Sequence, residues 1–124
     1  MPATHLVRAA GARVLVAHVN AAVGAALARR LMDADVVALA RAPQALNLIG
    51  RSLEPDVVVL CPYLAGEERT ALLAASAALP RPAAVVEMAD DAGPRGAHLR
   101  LLAGCAAAAP VHSVLRDLAL PLTA

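Results

Sequence analysis

Short apolar runs, rich in valine, alternate along this chain with longer stretches whose apolar residues recur every three or four positions. The first pattern is typical of strands that are buried on both faces, and the second is typical of helices that cover a sheet. Five strands are predicted on this basis: Arg13 to Ala17, Asp35 to Leu39, Asp56 to Cys61, Ala83 to Met88 and Ala106 to Ala109.

The stretches between and after these strands are predicted to be helices, and three of them carry recognisable start signals. Asn20 suits the N-cap of the first helix, and Pro43 suits the first turn of the second. Glu67 and Glu68 suit the positive amino end of the third helix. The five predicted helices are Ala21 to Met32, Pro43 to Leu53, Gly66 to Ala78, Arg95 to Ala103 and His112 to Leu120.

The alternation of strands with helices predicts an α/β domain with right-handed crossovers between parallel strands. We expect a five-stranded parallel sheet in the order 2-1-3-4-5, with helices on both faces. Strands one, three and four are the most uniformly apolar, so we place them at the centre of the sheet. No linker, repeat or charge block divides the chain, which predicts one domain over residues 1–124 with a loose N-terminal arm over residues 1–12.

The segment around residue 104 has two interpretations. Ala106 to Ala109 is a run of alanines with low strand propensity, so it could instead continue the preceding helix. Gly104 favours a helix end at that point, because glycine is the usual residue just past a helix C-terminus. A short fifth strand after Gly104 is therefore our prediction.

Composition and charge exclude several classes of function. Eleven basic residues, all of them arginine, face ten acidic ones, and the arginines are scattered, unlike the basic face of a nucleic-acid-binding protein. Tyr63 is the only aromatic residue, so platforms for base stacking are missing as well. No apolar run reaches the roughly 18 residues of a membrane span, and the start lacks the pattern of a signal peptide. We expect a cytoplasmic protein with reduced Cys61 and Cys105 and no direct contact with nucleic acid or membrane.

Three segments carry a resemblance to a known family: R-V-L-V from Arg13, E-P-D-V-V-V-L from Glu54, and L-L-A-G-C-A from Leu101 followed by a final helix. From Arg13 to Leu120, the chain resembles the receiver domain of response regulators. The resemblance implies a flavodoxin-like receiver fold built from five βα units. It also implies where the reactive residues of the family would lie in this sequence.

Each reactive position of that family holds a different type of residue here. The paired magnesium-binding acids after strand one fall on Ala17 and His18, and the phosphate acceptor falls on Cys61. The Ser or Thr after strand four falls on Met88, and the lysine after strand five falls near Val111. Magnesium requires hard oxygen ligands, and phosphoryl transfer requires a metal and a cation to neutralise charge. We therefore predict a pseudo-receiver that is not an enzyme and has no catalytic residue, metal or cofactor.

A receiver-like domain without its phosphorylation site is expected to act through a protein partner or a homodimer. Relatives of that kind often use the face built by helix four, strand five and helix five. The predicted interaction face consists of Arg95, His98, Arg100, His112, Arg116 and Asp117. Val114, Leu115 and Leu118 recur at helical spacing and could supply apolar contact area. The alternative is that these leucines only cover the sheet and the charged residues form a solvated surface.

A second resemblance leads to a different function. V-L-V-A-H-V-N-A-A-V-G from Val14 resembles the opening of short-chain reductases, which would make the chain a degenerate Rossmann-type nucleotide-binding domain. That family needs glycines in the first turn so that the backbone can approach a pyrophosphate closely. The first two fall on His18 and Ala21, and only Gly24 is kept. A strand order of 3-2-1-4-5 would favour this alternative.

Other reactive side chains also have competing chemical and structural interpretations. Cys61 could be a nucleophile or redox thiol if the imidazole of His18 reached it, but a buried inert cysteine is more common. His18, Cys61 and His112 could share one edge of the sheet, although no ligand spacing supports a metal site. Asp90-Asp91 is typical of a solvated turn. Glu87 would need a partner if it pointed inward, and we expect it instead to face the boundary with the fourth helix.

Overall fold

The computed structural model describes residues 11–90 and 97–123, and within them six strands form one sheet in the order β2-β1-β3-β4-β5-β6. The strands are β1 (Arg13–His18), β2 (Val36–Arg41), β3 (Val57–Leu60), β4 (Ala84–Asp90), β5 (Ala97–Ala103) and β6 (Leu122–Thr123). The helices are α1 (Ala21–Arg30), α2 (Ala42–Leu48), α3 (Gly66–Ala77) and α4 (Ala109–Leu118). No helix in these residues is long and apolar enough to cross a membrane.

The first four strands have the predicted positions and directions. β1 pairs in parallel with β2 on one side and with β3 on the other, and β3 pairs in parallel with β4. The fifth strand of the sheet lies beside β4. The α/β class and the order 2-1-3-4-5 are therefore confirmed, and the order 3-2-1-4-5 expected of the Rossmann alternative is not observed.

The prediction of a wholly parallel sheet is wrong, because β5 runs antiparallel to β4. In the segment predicted as the fourth helix, Arg95 to Ala103, the described residues Ala97–Ala103 form β5. The predicted strand Ala106 to Ala109 is a turn that passes into α4 at Ala109. Only six residues separate β4 from β5. A parallel neighbour would need a crossover of about a dozen residues, so a connection of this length joins antiparallel strands.

Two apolar layers cover the sheet. We call the side of the sheet under α1 and α4 the front face; its buried residues include Val16, Val59 and Val86. The side under α2 and α3 is the back face, and it includes Leu15 and Val58. Successive residues of a strand point to opposite faces, so each central valine run is buried on both sides. This explains why β1, β3 and β4 could be predicted as central strands.

The predicted start of α1 agrees with the structure, whereas the predicted end of α2 does not. The Asn20 side chain accepts hydrogen bonds from the backbone N–H groups of Ala22 and Val23, at 3.0 and 3.4 Å, as predicted for an N-cap. α2 ends at Leu48, five residues before the predicted end, and the chain then turns through Gly50 at φ +81°. A positive φ suits glycine and ends the helical geometry.

The predicted N-terminal arm, residues 1–12, is described only at its last two positions. Ala12 is fully buried, and its carbonyl accepts a hydrogen bond from the backbone N–H of Asp35 at 2.9 Å. Gly11 lies so close to Asp35 that an added Cβ would be 2.4 Å from the carboxylate. Residues 11 and 12 therefore belong to the packed domain, while residues 1–10 lie outside the described part of the chain.

Candidate functional site

The carboxyl ends of the central strands place His18, Cys61 and Met88 in one row on the front face. The parallel registers pair the residues just before these three, so the three themselves are neighbours across β1, β3 and β4. The backbone N–H of Cys61 donates to Ala17 O at 2.9 Å, which continues the ladder between β1 and β3. Adjacent strands lie about 4.8 Å apart. Ala17 is buried on the back face and does not join the row.

His18 acts as a packing residue in this row. It is 6% exposed, and its ring lies against α1, where a Cβ added to Gly24 would be 2.8 Å from His18 Cδ2. Its Nδ1 makes no hydrogen bond within the described residues. The ring therefore occupies the space between the carboxyl end of β1 and the first turn of α1.

Burial makes Cys61 a poor nucleophile. The residue is 2% exposed, and removal from water raises the pKa of its thiol from 9.0 to about 11. The thiolate is the reactive form, so a thiol with this pKa is almost entirely protonated at neutral pH. Burial, without an activating imidazole, is the cause of the shift, which favours the inert interpretation of Cys61.

We expect Cys61 to resist alkylation in the native protein at pH 7, while Cys105, which is exposed, reacts. Iodoacetamide labelling followed by peptide mass spectrometry measures both rates in one sample, and labelling in urea should make the two cysteines equivalent. Equal rates in the native protein would contradict the buried assignment.

The same thiol should make stability depend on pH. The folded state holds the proton more tightly than the unfolded chain, so this contribution is present below pH 9 and is lost as the pH rises towards 11. A shift of two pKa units corresponds to a loss on the order of 2–3 kcal/mol. Urea titrations at a series of pH values should show this slope in the native sequence and less of it in Cys61→Ala.

Glu87 points to the back face, where two arginines neutralise it. Arg69 Nε lies 2.6 Å from Glu87 Oε2, and Arg69 Nη2 donates to Oε1 at 3.4 Å. Arg100 Nη1 lies 3.9 Å from the same Oε1. The Glu87 side chain is only 18% exposed, so its charge needs these partners. The expectation that Glu87 faces the fourth helix is wrong, because that segment forms β5; the carboxylate points inward and its partner comes from α3.

The strand part of the predicted interaction face is divided between the interior and the surface. His98 and Arg100 alternate along β5 with Leu99, which is packed into the front-face core. His98 is 2% exposed and belongs to the interior, while Arg100 is exposed beside Glu87. Arg95 lies outside the described residues. β5 therefore adds one exposed arginine, on the back face.

The helical part of the predicted interaction face lies on the opposite side of the sheet. Its charged side chains form contacts within the chain. Arg116 Nη2 lies 3.4 Å from Asp33 Oδ2, and Asp117 Oδ2 accepts a hydrogen bond from the Asp33 backbone N–H at 3.1 Å. Val114 and Leu118 are 1% and 0% exposed. The alternative interpretation of α4, that its leucines cover the sheet, agrees with this packing.

The reversal of β5 also moves two predicted site residues to the other edge of the sheet. Because β5 is antiparallel to β4, its carboxyl end and the start of α4 lie at the amino end of β4. Val111 lines a cavity of about 220 Å³ there, together with Asp56 and Ala84. His112, the next residue, is exposed. Neither can complete a site with Cys61, and no group of three His, Cys, Asp or Glu able to hold a metal occurs in the described residues.

The exposed apolar edge at β2 is a surface that the sequence analysis missed. Val36 and Leu39 are 39% and 42% exposed, although both belong to a strand of the main sheet. The signal was available, because the predicted order 2-1-3-4-5 already placed this valine-rich strand at an edge. An edge strand leaves one row of backbone groups unpaired.

The row His18, Cys61 and Met88 offers a buried imidazole, a largely protonated thiol and a thioether. A cavity of about 300 Å³ opens beside Met88, and its lining is apolar except for Arg30 of α1. Its charged lining residue, Arg30, already donates from Nη1 to Leu118 O at 2.8 Å. Comparisons with protein-family models, with curated proteins and with solved structures find no match for this chain.

Proposed function

We propose that this chain is a pseudo-receiver, a regulatory domain that works through protein contacts and without phosphorylation. The observation that carries the proposal is the row His18, Cys61 and Met88 at the carboxyl ends of β1, β3 and β4. In parallel α/β sheets this edge is where ligands and reacting groups lie. Here it holds largely buried side chains that offer magnesium no carboxylate.

The four parallel strands support the receiver-like part of the proposal, and β5 marks a departure from it. A receiver brings a lysine to the phosphorylation site from the end of its fifth strand. In this chain the end of β5 lies at the opposite edge, so a residue at Val111 could not reach Cys61 whatever its side chain. Both the residue types and the topology therefore disfavour phosphoryl chemistry.

The nucleotide-binding alternative receives less support. β3 lies beside β1, on the side away from β2, which differs from the order 3-2-1-4-5 of a Rossmann sheet. In addition, Gly24 is in close contact with His18 and Leu39, so its lack of a side chain serves internal packing. The one glycine that this alternative keeps is therefore explained without a pyrophosphate.

We expect neither acetyl phosphate nor beryllofluoride with magnesium to modify or bind this protein, because the described residues contain no metal-binding cluster of acids and the sequence has no lysine. Calorimetric titration with magnesium and intact-mass analysis after incubation with acetyl phosphate measure the two events separately. The Cys61→Asp variant is the matched control, and it should also remain unmodified because the other acids are still missing. Saturable magnesium binding at millimolar concentration, or a stable phosphoryl adduct, would overturn the proposal.

A further inference from the structure

The β2 edge combines an unpaired backbone with exposed apolar side chains. Among the residues that the structure describes, β2 is the outermost strand of the sheet, and β1 is its one partner. Its six residues, V-V-A-L-A-R, include one charge, at the carboxyl end. Natural proteins usually protect such edges with several charges, prolines or bulges, because an apolar edge pairs readily with another strand. This strand has none of these along Val36 to Ala40.

The sequence at this edge is complementary to itself when two copies run antiparallel. The segment is D-V-V-A-L-A-R, from Asp35 to Arg41, with Ala38 at its centre. A two-fold axis at Ala38 places Asp35 of each copy opposite Arg41 of the other, and Val37 opposite Leu39. Asp35 and Arg41 are both exposed, and neither forms an ion pair in the part of the chain that the structure describes.

The backbone has the alternation that this pairing requires. The N–H groups of Asp35 and Val36 both donate to Ala12 O, at 2.9 and 3.4 Å, and regular pairing with β1 begins at Val36. Backbone groups alternate in direction along a strand, so those of Val37 and Leu39 point away from β1. In the two-fold arrangement, Val37 of one copy and Leu39 of the other would exchange main-chain hydrogen bonds in both directions. The Ala38 pair then lies in the narrow position, which small side chains fit.

We propose that two copies of this chain pair antiparallel through β2, with Ala38 at the two-fold axis, and join their sheets into one. This assignment rests on the proposed function as an interaction domain and names the surface and the partner. Opposite charges at both ends of the paired segment select this register, because a shift of two residues would leave each Asp35 and Arg41 without its partner.

Helix α1 supplies the additional contact area that an edge pair needs. Strand pairing alone covers less than the roughly 1,000 Å² of a stable interface. α1 contacts both β1 and β2, and its side towards the β2 edge carries Ala25 and Ala28, which are half-buried. Strand spacing would place the two α1 helices roughly 10 Å apart across the axis, a distance at which helices with small side chains pack.

A charge-swap series tests the register. Asp35→Arg and Arg41→Asp, made singly, each put like charges opposite each other twice per dimer, and each should raise the dimer dissociation constant about tenfold or more. The double variant Asp35→Arg/Arg41→Asp restores both pairs and should return the constant to within about threefold of the native value. Sedimentation velocity over a concentration series of the full chain measures all four proteins.

Mixing the two single variants gives a sharper outcome. Each alone should be weakened, but together they form a heterodimer in which every Asp35–Arg41 position has opposite charges. The matched controls are Glu68→Arg on α3 and Arg81→Asp, which change charge in the same directions away from β2. These controls should leave dimerisation unchanged. An equal effect of control and edge variants would mean that net charge acts, and would overturn the proposed register.

Cross-linking tests the position of the axis independently. Ala38→Cys, in a Cys105→Ser background that removes the exposed thiol, should form a covalent dimer under mild oxidation, because residue 38 faces itself. Val36→Cys in the same background is the control and should cross-link far less, since residue 36 would face residue 40. Equal cross-linking of the two variants would contradict this register.

Two results would overturn the dimer altogether. A full chain that remains monomeric at high micromolar concentration while a form without residues 1–10 dimerises would show that the N-terminal segment occupies the β2 edge. If both forms remained monomeric, β2 would not mediate dimerisation, and its free edge could pair only with a different protein. Neither result affects the proposal that the domain lacks phosphoryl chemistry, which the magnesium and acetyl phosphate experiments decide separately.

Discussion

Replacing Gly104 with alanine should destabilise the fold by about 3 kcal/mol or more, among the largest effects of any single methyl group in the chain. Gly104 follows β5 and has φ +96°, a conformation that residues with a side chain rarely adopt. An added Cβ would lie 2.6 Å from Ala84 Cβ and 2.9 Å from Ala84 Cα. Because one of these contacts is with backbone, β4 would have to shift for the methyl group to fit.

Urea denaturation followed by circular dichroism measures this effect. Gly66→Ala is the matched control, because an added Cβ there meets nothing within 4 Å and Gly66 is the first residue of α3. The control should be neutral or up to about 1 kcal/mol more stable, since alanine restricts the unfolded chain. Similar stabilities of the two variants would contradict the close approach of the β5–α4 turn to β4.

Truncation of Leu99 to alanine should cost about 2–5 kcal/mol. Leu99 lies in the middle of β5, is fully buried in the front-face core, and pairs with Met88 of β4. Its removal leaves a cavity between the sheet and α4 that the surrounding residues can fill only in part. The expected result is a lower urea midpoint with little change in the dependence of free energy on urea.

Leu122→Ala is the control for this prediction. Leu122 pairs with Leu99 across β5 and β6, but it is 41% exposed, so its truncation should cost about 1 kcal/mol or less.

The position of Leu102 distinguishes a strand in this segment from the helix predicted there. Leu99 belongs to the front-face core, whereas Leu102 packs against the back-face core. In a helix, residues three apart would share one side. If Leu99→Ala were as mild as Leu122→Ala, this placement of β5 would be wrong.

Local features of the sequence were sufficient for the centre of the domain. Valine runs from Val14 and Val57 predict strands that are buried on both faces, and both form as predicted, because β-branched residues suit that environment wherever the rest of the chain lies. Asn20 caps α1 through contacts with residues only two and three positions away. The residue types of His18 and Cys61 at the ends of their strands can likewise be read from the sequence alone.

Only the tertiary structure decided the direction of β5 and the positions of the residues that follow from this direction. The segment around Leu99 has a pattern compatible with a helix or a strand, and its pairing with β4, distant in sequence, selects the strand. The same pairing moves Val111 to the opposite edge and directs Arg100 towards Glu87. Long-range contacts of this kind cannot be predicted from local periodicity, because backbone hydrogen bonds form with whichever strand the fold brings alongside.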